Sequence, residues 1–413
     1  MNVGLVYFSD KQFLNHAAIN VFWNFGFALS ESDNSFKRYH YYDDKTQAKQ
    51  LSGYLNENLP ADTLLLNNPK SNVIILILES FTAKVIGSLG GLPNITPQIN
   101  QLSNEGILFC NFYASGDRSD KGLVSILSGY PAQPSTSIIK DAAKSQSLPR
   151  LSISLRKEGY QSSFYYGGDV NFANMRSYLL DSKFDAIVSM DSFPKSTWNS
   201  KWGAHDHVVF ERLYTDLCKA QQPFFSTYFT LSSHEPFEVP GRFVQGNDNQ
   251  SKFLNAIHYT DSCVGDFIAK CKTQLWWNNT VVILVADHGH QFPGGSPNHD
   301  VKKFQIPMLW LGGALKSTGK ITKFASQTDI ASTLLHQMNV SSKDFAFSRD
   351  IFSNQKSCAF YAYNNGFGVV TDTARVVFDC GFSKMIDQKG AGEPLIPLGK
   401  SYIQAIYTDL NDR

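Results

Sequence analysis

Two unbroken apolar runs constrain this chain more than any other feature: "NVIILILES" at 72–80 and "NTVVILVADHG" at 279–289. Each is far shorter than the roughly 20 apolar residues needed to span a bilayer. Neither alternates apolar with polar residues, as a strand with one wet face would. Runs of this kind read as strands buried on both faces, which occur in parallel sheets covered by helices. Both also end abruptly in ionisable residues, Glu79 after the first and Asp287 with His288 after the second.

The surrounding sequence keeps the same rhythm. "ILFCNFYA" (107–114), "QSSFYYGG" (161–168), "PFFSTYFTLSSHEP" (223–236) and "IPMLWLGG" (306–313) read as further strands. Between them lie helical patterns: 96–106 closed by Gly106, a short helix after Ser119, 148–160, and a strongly amphipathic one over 251–272. Alternating strands and helices predict a three-layer α/β/α domain over 70–340 with a mostly parallel sheet. From 341 to 413 the pattern changes. An Asn-Gly turn between β-rich segments in 358–380 predicts a hairpin within a small antiparallel C-terminal subdomain. Residues 1–69 read as a helical and then polar linker, following membrane spans expected to precede it. No internal repeat or low-complexity segment is visible.

Composition bounds the function. The 413 residues and 42% hydrophobic content allow a large core, and a net charge of +1 offers no electrostatic footprint for nucleic acid. The aromatic content, with 31 Phe, reads as core and pocket lining. Cysteines stand at 110, 218, 263, 271, 358 and 380, with no close pair that suggests a metal site. Cys263 and Cys271 lie about 12 Å apart along a helix, too far for a disulfide. Cys358 and Cys380 flank the predicted hairpin, so both a disulfide and two buried thiols remain open. The aromatic, nearly uncharged segment 14–29 either lies on a membrane surface or packs against the body of the protein.

In open α/β sheets, ligands bind beyond the carboxyl ends of the strands. Glu79, the Asp117–Asp120 cluster, His234, and Asp287 with His288 all fall at such ends. Each has an ordinary structural role open to it. Glu79 suits a helix cap, Asp287-His288-Gly289 a turn, His234 a hydrogen bond, and Ser119 an N-cap. Their convergence on one rim argues instead for chemistry: carboxylates and imidazoles make a site for a hard to borderline divalent cation. Ser119 sits in "SGDRSDKGLV" (115–124), where a helix begins. A helix N-terminus favours a phosphoryl oxygen, a nearby cation favours the serine alkoxide, and Arg118 and Lys121 can balance phosphate charge.

In this order the motifs resemble the lipoteichoic acid synthase group of the alkaline phosphatase superfamily, whose members transfer phosphoglycerol. The resemblance covers roughly 70–340. "ILILES" is similar to the segment carrying the metal-binding Glu, here Glu79. "GDRSDKGLVSILSGYP" is similar to the nucleophile segment, with Ser119 where the group usually has threonine. "TLSSHEPF" brings a substrate-site histidine, His234, and "VADHGH" the metal-binding pair Asp287 and His288. The group's Trp-Asn-Arg segment is altered: "NFANMRSY" (171–178) has no Trp, and its arginine, Arg176, is displaced by one. Arg176 is a phosphate or glycerol contact on this resemblance and otherwise a solvated helix residue. His299 stands where related enzymes keep another histidine, with a structural role equally open.

The resemblance implies an alkaline phosphatase-like fold and one divalent cation, Mn or Mg with Zn also compatible, held by Glu79, Ser119, Asp287 and His288. It implies a phosphatidylglycerol-like donor and a glycan or polyol-phosphate acceptor. It also implies work at the membrane surface, on the extracytoplasmic side, by a protein anchored in the membrane. Rival readings are a phosphoethanolamine transferase, a hydrolase using water, and a non-catalytic lipid- or glycan-binding domain. Sulfatase chemistry is disfavoured, because Ser119 is followed by Asp-Lys-Gly-Leu and not by a Pro-Arg pattern.

Overall fold

The computed structural model describes residues 38–55 and 63–413. The aromatic segment 14–29 and most of the expected linker lie outside the described residues.

The chain builds an eight-stranded sheet in the order β4-β3-β5-β1-β6-β7-β2-β8. The strands are β1 Asn72–Leu78, β2 Ile107–Tyr113, β3 Gln161–Tyr166, β4 Ala186–Val188, β5 Phe224–Phe229, β6 Thr280–Ala286, β7 Met308–Leu311 and β8 Gly319–Ser326. The two apolar runs of the sequence become β1 and β6, adjacent in the middle of the sheet. Every residue of both is buried. Fully burying each large aliphatic side chain stabilises by about 1.5–3 kcal/mol, so this central pair anchors the core.

The sheet is parallel except around β7, which runs antiparallel to both β6 and β2. The helices are α1 Asp44–Leu51, α2 Pro97–Leu102, α3 Ser119–Ser128, α4 Leu151–Lys157, α5 Met175–Asp181, α6 Asp206–Leu217, α7 Asn249–Lys272, α8 Asp329–Gln337 and α9 Leu395–Asp412, with single turns besides. The helix expected over 96–106 stops at Leu102, and Gly106 instead leads into β2. A Cβ there would overlap the backbone of Trp310 in β7.

The C-terminal part forms the expected antiparallel sheet, β12-β11-β10-β9, from β9 Ala359–Tyr363, β10 Gly366–Val370, β11 Arg375–Asp379 and β12 Lys384–Lys389. Its first hairpin turns at Asn364-Asn365, with Tyr363 opposite Gly366 and Asn365 at φ 65°. The long helix α9 covers this sheet, and the sequence pattern gave no notice of it. All six cysteines are free, Cys358 and Cys380 included, and Cys358 Sγ lies 3.1 Å from Arg349 Nη1. The sheet also meets the segment just before α3: the amide of Ala362 in β9 donates to the Ser115 carbonyl at 2.8 Å.

Candidate active site

Sheet register assembles the site. Leu78 pairs with Ala286 and Ile77 with both Val285 and Phe229. The residues that follow, Glu79, Asp287 and Thr230, therefore emerge side by side. The Asp287 amide donates to the Leu78 carbonyl at 3.2 Å, and the Glu79 amide to Thr230 Oγ1 at 2.9 Å. Ser80, at φ 60°, turns the chain away and donates its amide to Asp287 Oδ1 at 2.8 Å. The His288 amide donates to the same oxygen at 2.7 Å.

The serine arrives on α3. Arg118 is the N-cap and Ser119 the first helical residue, so the hydroxyl of Ser119 does not cap its own helix. It donates instead to Glu79 Oε2 at 3.2 Å and lies 3.4 Å from His288 Nε2. Gly122, one turn on, makes this possible, since any Cβ there would overlap the Asp287 carbonyl. Gly129, at φ 59°, ends the helix in a left-handed cap.

The donor set suits a cation. Donor atoms of Glu79, Asp287 and His288 all lie within 4.8 Å of one another. Asp287 is fully buried, yet its Oδ2 has no hydrogen-bond partner among the described residues. With only His288 Nε2 nearby, at 3.4 Å, a carboxylate oxygen without a hydrogen bond at that depth is costly unless positive charge joins it. His288 Nδ1 donates to the Gly289 carbonyl at 2.9 Å, which turns the Nε2 lone pair toward the carboxylates, as a metal-ligating imidazole requires. Burial, and then the Asp287 charge, push the Glu79 carboxyl up to about 8. Burial works against protonating His288, but Asp287 and Glu79 outweigh it and hold its pKa above the ordinary value. Two carboxylates, an imidazole and a hydroxyl fit Mn or Mg, and Zn as well.

These residues open onto a cavity of about 250 Å³. Glu79, Asp117, Arg118, Ser119, Asp120, His234 and His288 all line it. His234 stands edge-on to Trp202, with ring centroids 4.5 Å apart, and its Nδ1 lies 3.0 Å from the Glu235 carbonyl. Three expected contacts are not brought there. Lys121 is held against Asp117 at 3.1 Å, both side chains largely buried, and does not line the cavity. Burial tends to raise the Asp117 carboxyl, but the Lys121 charge overrides it and sets it below the ordinary range. Arg176 is exposed on α5. Ala173 and Asn174 adopt left-handed φ values of 52° and 61°, and this turn gives Met175 to the cavity in its place. His299 is half-buried near Tyr363, and its carbonyl accepts from Tyr361 Oη at 3.1 Å.

Sequence reasoning missed Lys140, Phe172, Met175 and Trp202, which also line the cavity. It missed Asp206 as well. Fully buried, this carboxylate accepts from Tyr228 Oη at 3.0 Å, the amides of Leu231 and Ser232 at 2.8 and 3.2 Å, and Thr260 Oγ1 at 2.7 Å. It thereby fixes the loop that carries His234.

A mixed sheet with acidic and imidazole donors at its carboxyl edge, facing a helix-borne hydroxyl, is the arrangement of hydrolases and phosphotransferases of the alkaline phosphatase type. The sequence model of the sulfatase family matches residues 71–340, and the chain belongs to that family. Within it the chain is lipoteichoic acid synthase-like. It is 26% identical over 344 residues to lipoteichoic acid synthase 2 of Bacillus subtilis (strain 168), covering 76% of this chain and 52% of the relative. It is 26% identical over 318 residues to lipoteichoic acid synthase of Staphylococcus aureus (strain USA300), covering 69% and 48%. The chain thus spans about half the length of these curated relatives. Among solved structures, an alkaline phosphatase superfamily protein from Vibrio parahaemolyticus superposes with a TM-score of 0.78 at 28% identity, covering 91% of this chain and 98% of that one. A lipoteichoic acid synthase from Listeria monocytogenes shares the fold, with a TM-score of 0.74 at 18% identity and coverage of 89% and 98%. No helix among the described residues is long and apolar enough to cross a membrane.

Proposed function

We propose that this domain transfers a phosphoglycerol group, or a close phospho-alcohol, from a phosphatidylglycerol-like lipid to an acceptor hydroxyl on a glycan or polyol phosphate. The observation that carries the reading is the placement of Ser119 Oγ, 3.2 Å from Glu79 Oε2 and 3.4 Å from His288 Nε2. Glu79, Ser119, Asp287 and His288 would hold one divalent cation. When bound, that cation supplies positive charge favouring the ionised serine oxygen and offsetting phosphoryl charge.

The serine gives its proton to solvent and attacks phosphorus. The Oγ–P bond forms as the bond from phosphorus to the diacylglycerol oxygen breaks, leaving a phosphoglyceryl-serine. The N-terminus of α3 favours the negative phosphoryl oxygens, and Arg118 adds a cation at the rim. His234 donates through Nδ1 to the Glu235 carbonyl, which leaves Nε2 to carry a proton to the departing oxygen. In the second half, the acceptor hydroxyl returns a proton to His234 Nε2, its oxygen bonds phosphorus, and Ser119 leaves.

On this reading the chemistry lies in residues 70–340, with 341–413 as a supporting subdomain, and the protein works at the outer face of the cytoplasmic membrane as a membrane-anchored enzyme. The test is intact-mass analysis after incubation with Mn and phosphatidylglycerol vesicles. A glycerophosphoryl adduct on Ser119 is expected, absent in Ser119→Ala and absent after chelation. Turnover surviving in Ser119→Ala would overturn the reading.

A further inference from the structure

The cavity has a second polar pole that the transfer chemistry leaves unused. Asp120 is 9% exposed, and its Oδ2 receives Lys140 Nζ at 3.1 Å. Its Oδ1 has no partner among the described residues. Both residues line the same cavity as Ser119. An acid in the first turn of a helix serves the helix dipole, yet that role asks for neither burial nor a cationic partner from another loop. The turn that carries Lys140 is held from two sides, while the lysine side chain itself is 57% exposed and reaches Asp120. The turn Ile138–Lys140 receives the Asn174 side-chain amide on the Ile139 carbonyl at 2.7 Å, and Gln133 Oε1 accepts from the Ile138 amide at 3.0 Å.

A donor beside a buried acceptor that lacks a partner, next to the apolar surface of Phe172, Met175 and Trp202, matches one ligand chemistry well. A polyol offers O–H to Asp120, lone pairs to Lys140 and C–H surface to the aromatic lining. An ammonium head group would satisfy Asp120 but meet repulsion from Lys140. A plain carbon chain would leave the second Asp120 oxygen without a donor, which is unfavourable. We propose that Asp120 and Lys140 recognise the hydroxyl groups of the glycerol carried to Ser119, and so select a polyol over an amine head group. The proposal rests on Ser119 being the nucleophile.

The experiment uses the Mn-loaded chain and has two independent arms. In the first, single-turnover adduct formation on Ser119 is compared for phosphatidylglycerol and phosphatidylethanolamine vesicles. Lys140→Met and Asp120→Asn are each expected to lower the preference for the glycerol head group about tenfold, chiefly through KM. In the second, calorimetry measures glycerol phosphate and phosphoethanolamine binding to Ser119→Ala protein with and without Lys140→Met, and the same drop in preference is expected. This arm reads the pair even where no adduct forms, so failure of the nucleophile is separable from failure of the recognition. An unchanged head-group ratio in the second arm overturns the proposal. So does a loss confined to discharge of a preformed adduct to added glycerol, which would assign the pair to the acceptor.

Discussion

The backbone of Gly122 lies against the carbonyl of Asp287, and this contact sets how closely the Ser119 hydroxyl approaches the Glu79 carboxylate. A methyl group at residue 122 must push α3 away from the end of β6. Displacements near 1 Å can cost on the order of 100-fold in rate. Gly122→Ala is therefore expected to lose at least about that factor in kcat while its circular dichroism and cooperative melting persist. Wild-type kcat in the variant would sever the link between helix packing and chemistry.

Much of this arrangement was legible in the sequence because it is local. Glu79, Asp287 and His288 directly follow fully apolar strands, so strand register alone brings them together. Ser119 opens a helix whose pattern is plain. What was hidden comes from irregular chain. Lys140, Phe172 and Trp202 sit in loops and single turns without periodicity, and the exposed position of Arg176 follows from a left-handed turn that begins at Ala173, a residue type that rarely adopts that conformation. The direction of β7 was equally hidden, since an apolar run carries no polarity. Helix α9 escaped notice because it contains Pro397 and Gly399. Its first turn tolerates proline, and Gly399 lies so close to Phe367 that a side chain would clash.

Threonine at the nucleophile is the usual choice in the resembling group, and here the position is serine. The hydroxyl contacts of Ser119 run to Glu79 and His288, and the residue is only half-buried at the edge of an open cavity. Threonine carries the same hydroxyl on the same carbon, so it can make both contacts. Ser119→Thr is expected to hold kcat/KM within about tenfold of the wild type, whereas Ser119→Ala loses several powers of ten. Steady-state rates on one lipid donor separate the two cases.

Asp206 links the start of α6 to the segment that carries His234. Replacing it with alanine strands two amides and two hydroxyls, all buried, that now donate to it. Each buried donor left without its acceptor costs about 1–3 kcal/mol. Asp206→Ala is expected to lower the urea midpoint accordingly. Asp206→Asn retains one acceptor and should recover part of the loss. Equal stability for all three proteins in urea titration would mean that the network carries no net energy.

Glu79 couples cation binding to pH. Its carboxyl is pushed up to about 8, by burial first and by Asp287 second, against an ordinary value of 4.5. A raised folded pKa means that the folded protein holds this proton more tightly than the unfolded chain. Without a cation, stability is therefore full below about 4.5 and falls as pH rises toward 8. The raised His288 works in the same sense, losing its contribution as it deprotonates. A divalent cation binds the ionised carboxylates and the neutral imidazole, so it competes with these protons. The gain in Tm from added Mn over the chelated protein is expected to be small at pH 5, to grow through pH 8, and then to level off. Glu79→Gln removes a carboxylate that binds the ion, so it should raise the chelated protein's Tm at pH 8 while nearly abolishing the gain from Mn. A gain independent of pH, measured by scanning calorimetry across this range, would place the cation away from Glu79 and His288.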